Sequence, residues 1–169
     1  MEATAADFLS QVEEAWSLAD PAIEQVVRWS ARLHEIGLDV AHSGYHRHGA
    51  YLLANADMAG FPREEQKLLA IMVGSHRRKP AIEEADDLTA PWDKRAPAMT
   101  LLLRLSVLLH RGRSSVALPA IKLSARADSL EMRFPPEWLD DHPLTVADLQ
   151  QEIENLKSVG FRLRVFTTK

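Results

Sequence analysis

The chain has 169 residues, 46% of them hydrophobic, with a formal net charge of −4 and no cysteine. That length holds one domain, or one larger and one small, with enough apolar surface for a real core. The slight negative charge argues against a general nucleic-acid binder, although charge can be segregated locally, and the missing cysteines exclude disulfides and thiolate metal sites.

In Met1-Glu2-Ala3-Thr4 there is neither the basic nor the apolar stretch of a signal peptide. No apolar run reaches the ~18 residues that span a bilayer. A cytoplasmic chain without a membrane partner is therefore expected. The helical pattern begins almost at once, which hints at a segment of a longer polypeptide. Phe8, Val12 and Trp16 fall at helical spacing within 4–18. Asp20-Pro21 reads as an N-cap followed by proline at the first helical position. The second helix should run from 21 to about 34, burying Ile23, Val26, Val27, Ser30 and Leu33. Gly37 is expected to end it in the left-handed conformation.

A third helix is expected over 44–56, with Tyr45, His48, Leu52 and Leu53 along one side. Gly49 inside it costs about 1 kcal/mol against alanine and so suggests close packing or close ligand approach. Gly60-Phe61-Pro62 breaks the chain. Pro62-Arg63-Glu64-Glu65 opens a fourth helix with proline and acids in its first turn, and Leu68, Leu69, Met72, Val73 and His76 share a face. Residues 80–97 read as a connector. Helix five, expected over 97–111, is apolar nearly all round and should be central. After Pro119 the period becomes alternating. Ile121, Leu123 and Ala125, a turn at Asp128-Ser129, then Leu130, Met132 and Phe134 predict a hairpin. Thr145 is expected to cap a last helix with Asp148 in the acidic place of a capping box, Gly160 to end it, and Phe161, Leu163 and Val165 to form a third strand. The fold class is mainly α: a helical bundle over 1–115, then a small β-β-α-β domain over 116–169.

Four of the seven histidines, His34, His42, His46 and His48, crowd into the stretch before Tyr51. His42 and His46 could share a metal only if that turn were helical. The competing reading is that these histidines bond helix ends and the loop around Gly44. His76-Arg77-Arg78-Lys79, with Arg47 and His48, forms a basic cluster at a helix C-terminus, where cations are favoured. Its plain reading is a solvated helix end. Its functional reading is contact with phosphate, which arginine bonds bidentately and lysine meets as a point charge.

Leu33-His34-Glu35-Ile36-Gly37, His42-Ser43, His46-Arg47-His48-Gly49-Ala50-Tyr51-Leu52-Leu53, Gly60-Phe61 and Ser75-His76-Arg77-Arg78-Lys79 resemble the C-terminal half of the exopolyphosphatase / guanosine pentaphosphate phosphohydrolase family. Leu102-Leu103-Arg104-Leu105, Phe134-Pro135-Pro136-Glu137-Trp138-Leu139 and His142-Pro143-Leu144 fit it too. The resemblance implies an all-helical domain related to HD phosphohydrolases, then a small terminal domain. It implies that catalysis, with Mg²⁺, lies in N-terminal domains of the actin-like ATPase fold. No glycine-rich phosphate loop like theirs occurs here.

Working HD enzymes hold divalent metal with an upstream His, a His-Asp pair and a distant Asp, and the metal activates water. By resemblance His34 matches the His of the pair. Glu35 replaces the Asp and projects one methylene further. No histidine precedes His34, and helix five offers Arg104 and Ser106 where the last Asp is expected. No catalytic residue is therefore expected in this chain. His34, Glu35 and His42 are the candidates for a metal, should one bind.

Arg47, His48, His76, Arg77, Arg78 and Lys79 are the expected anion contacts. The expected partners are polyphosphate or guanosine pentaphosphate, the chain's own catalytic domains and a second copy in a homodimer, without nucleic acid. The alternatives are an autonomous metal-dependent HD-type phosphohydrolase and a pure dimerisation module.

Overall fold

A computed structural model describes residues 1–80, 82–112 and 117–168. Six helices and three strands follow in the order α1 (Glu2–Val12), α2 (Pro21–Leu33), α3 (Tyr45–Asn55), α4 (Arg63–Ser75), α5 (Trp92–His110), β1 (Lys122–Arg126), β2 (Ser129–Phe134), α6 (Pro143–Lys157) and β3 (Arg162–Thr167). Short 3-10 turns cover Ile36–Asp39 and Ile82–Asp87. The chain is thus mainly helical, with a small α+β part at its end. The expected boundary at 115/116 falls outside the described residues. Among the described residues no helix is long and apolar enough to cross a membrane.

The first helix is shorter than its periodicity predicts. It stops at Val12, and the chain closes into a turn in which the Leu18 N–H bonds the Glu13 carbonyl and Ser17 sits at φ 55. Trp16 continues the apolar stripe in sequence but serves another partner. Its indole N–H donates to the Arg126 carbonyl at the hairpin, 2.7 Å away. Helix α2 starts as expected, with the Asp20 carboxylate accepting from the Ala22 N–H at 2.9 Å and Pro21 behind it.

Gly37 is a correction. It lies in a buried 3-10 turn without a positive φ. A Cβ there would stand 1.9 Å from the Tyr45 carbonyl oxygen and 2.5 Å from the Gly49 nitrogen. The glycine is needed for closeness, not for handedness. Gly49 is the matching surface, where an added Cβ would press on Val73 at 3.0 Å. These two glycines let the turn after α2 seat directly on α3.

Helix α5 begins five residues before the expected start and holds Pro97 inside it. Proline there removes one bond to the preceding turn. Burial of Ala96 and Met99, each 0% exposed, outweighs that loss. From Met99 to Leu109 every residue of α5 is buried. Each buried leucine contributes about 1.5–3 kcal/mol, so α5 is the axis against which α1, α2, α4 and α6 pack.

The hairpin and the third strand form as expected. β1 pairs antiparallel with β2 and β3 lies parallel to β2, giving the order β1-β2-β3. Leu123, Leu130, Met132, Phe134 and Leu163 turn inward and join one apolar core with the helices. Helix α6 differs at its start. It begins at Pro143, so Thr145 lies inside it. Phe134, Trp138 and His142 stack with ring centroids 5.2 and 3.9 Å apart and fix that entry. Asp148 does not cap; it pairs with Arg111 at 2.9 Å.

Candidate functional site

The histidine-rich stretch folds back on the end of α4. Tyr45 and His46 open α3 and face His76, which follows α4, while His34 follows α2. The rings of His34 and His76 meet edge-on at 5.5 Å between centroids, Tyr45 and His76 at 5.6 Å, and His46 and His76 at 6.2 Å.

The protons of two of these rings follow from their partners. His76 is 1% exposed, and its Nδ1 lies 2.6 Å from the Val73 carbonyl oxygen, which only accepts, so Nδ1 carries the hydrogen. Its Nε2 is then the acceptor for the Tyr45 hydroxyl at 3.3 Å. Burial pushes the His76 pKa down to about 3, with the neighbouring His34, His46 and Arg77 adding to the shift. His34 likewise donates from Nδ1 to the Ala31 carbonyl at 2.9 Å, and burial lowers its pKa. His46 is lowered by burial first and then by Arg77, Arg78 and Arg47. Its buried Nδ1 has no hydrogen-bond partner among the described residues.

The expected contacts therefore separate. Arg47, Arg78 and Lys79 are exposed, and Arg77 and His48 are half-buried. Arg77 places its guanidinium 5.0 Å from the centre of the Tyr45 ring. Neither the three arginines nor Lys79 has a carboxylate partner among the described residues. His76 lies beneath them as an uncharged support. His42 is exposed on the turn before α3 and does not share a helical face with His46. His34, His42, Tyr45, Arg77, His110 and Arg111 line a cleft of about 310 Å³ whose one acid among the described residues is Glu35.

The His34 Nε2 stands 4.0 Å from Glu35, and no three His, Cys, Asp or Glu side chains among the described residues are arranged to hold an ion. A second cavity, of about 320 Å³, is walled by Trp16, Leu101, Leu156 and Phe161 and reaches Arg104. Volume does not separate the two.

Arg104, where the resemblance implies a metal-binding Asp, has become a structural centre. Its Nε and Nη2 donate to the two Glu152 oxygens at 2.6 and 2.8 Å. Nη1 donates to the Ser75 carbonyl, and Nη2 also to the Arg78 carbonyl at 2.6 Å. One guanidinium thus ties α5 to α6 and closes the free carbonyls at the end of α4. It also holds the turn in which Arg78 takes the left-handed φ of 61. Sequence reasoning did not single out Glu152. The usable signal was Arg104 itself, a cation in an apolar helix that must bury a carboxylate with it.

Residues 1–153 match the family described as Ppx/GppA phosphatase, domain III. Among curated relatives, guanosine-5'-triphosphate,3'-diphosphate pyrophosphatase of Aeromonas hydrophila is 30% identical over 162 residues, covering 96% of this chain and 33% of the relative. The proteins of that name from Pseudoalteromonas translucida and Vibrio cholerae are 33% and 35% identical over 94% and 90% of this chain and cover 32% and 30% of the relatives. The chain spans about a third of the length of the relatives it matches. With its histidine-rich turn, its basic helix end and its terminal sheet, the chain belongs to the Ppx/GppA phosphatase family, as the region of domain III.

Proposed function

We propose that this chain is a C-terminal accessory region of a cytoplasmic phosphoric anhydride hydrolase. On this reading it is inactive alone, and Mg²⁺ and the bond-breaking groups belong to the parent's catalytic domains. Its own task is to hold the phosphate chain of guanosine pentaphosphate or polyphosphate and to help two copies pair. The relatives' printed name favours guanosine pentaphosphate.

The observation that carries this reading is Arg77, free of any carboxylate among the described residues and stacked over Tyr45 at the rim of the cleft. Arg47, Arg78 and Lys79 add charge to the same side, since Arg47 and Arg78 act together with Arg77 on His46. A guanidinium held over a ring, with no carboxylate partner among the described residues, suits bidentate phosphate bonding. The reading without a metal-activated water is supported by the absence, among the described residues, of three His, Cys, Asp or Glu side chains arranged to hold an ion.

The test is phosphate release from guanosine pentaphosphate and from long polyphosphate by the chain, with Mg²⁺ and then Mn²⁺, beside affinity for both. We expect no release, and binding that weakens with salt because phosphate contacts displace counterions. Release that disappears in His34→Ala would make the cleft catalytic and defeat the proposal. A concentration-dependent mass without salt-sensitive binding would leave dimerisation alone.

A further inference from the structure

The registry of the terminal sheet sorts its solvent face into three rows that each cross all three strands. Lys122, Arg133 and Phe166 form one row, Ser124, Glu131 and Arg164 the next, and Arg126, Ser129 and Arg162 the third. Five of these nine positions are cations, one is an acid, two are serines and one is aromatic. The chain as a whole carries a net charge of −4, so this concentration of positive charge is local. The opposite face is covered by the apolar core. Lys122 and Arg126 are exposed and pair with no carboxylate among the described residues, whereas Arg133 and Arg164 share Glu131 at 2.9 and 3.8 Å. Arg162 meets Asp128, in the hairpin turn, at 2.7 Å.

We propose that this face binds single-stranded RNA. Successive rows lie two residues apart, about 6.6–6.8 Å along each strand. Six covalent bonds separate neighbouring phosphates in a nucleic acid backbone, so its charges are widely spaced and can meet successive rows. In inorganic polyphosphate, neighbouring phosphorus atoms share one bridging oxygen, and the charges crowd far more closely than the rows. Phe166 is 37% exposed, and the Arg133 guanidinium lies 4.9 Å from its ring centre. Phenyl ring and guanidinium both offer π-faces of the kind on which unpaired bases stack. Ser124 and Ser129 set hydroxyls within the rows, suited to ribose 2′-hydroxyls. An acidic protein would match the charge but would find one apolar side chain in nine positions, too few for the apolar centre of a protein interface.

The experiment is fluorescence anisotropy of a short labelled oligo(U) with the whole chain, at about 50 mM salt and upward, with unlabelled polyphosphate as competitor. Lys122→Glu with Arg126→Glu is expected to weaken oligo(U) binding at least ~tenfold and to flatten its salt slope by about 1.4, the share of two phosphate contacts on a single strand. Phe166→Ala is expected to weaken oligo(U) and leave the affinity for polyphosphate unchanged. Arg77→Ala with Arg78→Ala should leave oligo(U) binding intact, and an unshifted thermal midpoint in the sheet variants shows that they fold. No oligo(U) binding at the lowest salt overturns the proposal. So does binding indifferent to the sheet variants, or competition by polyphosphate with Phe166→Ala silent, which would assign the face to an inorganic phosphate chain.

Discussion

Arg104 and Arg77 sit at opposite sides of the same turn and do opposite things. Arg104 is 3% exposed, and its donors are aimed at a carboxylate and two carbonyls. Arg77 is half-buried, lies on an aromatic face, and meets no carboxylate among the described residues. The first holds the backbone from Ser75 to Arg78 in place; the second is held out by that backbone. A cation with every neighbour satisfied fixes shape, and a cation fixed in direction but left unpaired is available to a ligand. Where the resemblance implied an acid for metal, the chain carries the residue that holds the turn bearing Arg77 and Arg78.

The sharpest way to break this contrast is Arg104→Ala. It leaves Glu152 buried without its partner and frees the carbonyls of Ser75 and Arg78. Removing one partner of a buried pair costs about 3–5 kcal/mol, so chemical denaturation should show most of the chain's stability gone. Replacing both residues by leucine should recover much of the loss, because the desolvation cost of the charges goes with them. A loss below about 1 kcal/mol for Arg104→Ala would mean that the turn holds without it.

The histidines beneath the rim give the next largest effect. His76 stays neutral in the folded chain down to a pKa of about 3, against an ordinary value of 6.5. Below pH 6.5 the unfolded chain binds a proton that the folded one does not. The stability from neutral His76 is therefore complete above pH 6.5 and is lost as pH falls from there toward 3. At pH 5 this amounts to roughly 2 kcal/mol, and His34 and His46 shift in the same direction. Denaturation midpoints between pH 7.5 and 5 should fall in the natural chain and fall less in His76→Asn, where the amide can still donate to the Val73 carbonyl. Equal slopes would contradict a neutral His76.

Much of the fold could be read from residues alone because the cues were local. Asp20-Pro21, the alternation around Asp128-Ser129 and the leucines of helix five each name their element without help from elsewhere. What could not be read depended on partners far away in sequence. Trp16 kept helical spacing yet left α1 to bond Arg126. Gly37 had the look of a helix stop, but the reason for it is the Tyr45 carbonyl. Pro97 looked like a first residue because the burial that tolerates it was not visible. The site followed the same rule. The basic run was plain as composition, but its division into a neutral His76 inside and free arginines outside required the contact of α3 with α4.

The finest test separates charge from geometry at the rim. Arg77 contributes little to stability, since a partly exposed cation over an aromatic ring is worth about 0.5–1 kcal/mol. Arg77→Lys keeps the positive charge but loses both the guanidinium's contact with the Tyr45 ring and the bidentate donors. If Arg77 serves only as one more charge, lysine should bind guanosine pentaphosphate as arginine does, with the same dependence on salt. If the ring under it sets its direction, affinity should fall several-fold while the salt slope stays the same, because the number of displaced counterions does not change. Arg77→Ala should lower both. The expected result is the second. A guanidinium already placed over Tyr45 loses less freedom on meeting a phosphate than a lysine that must first find its direction.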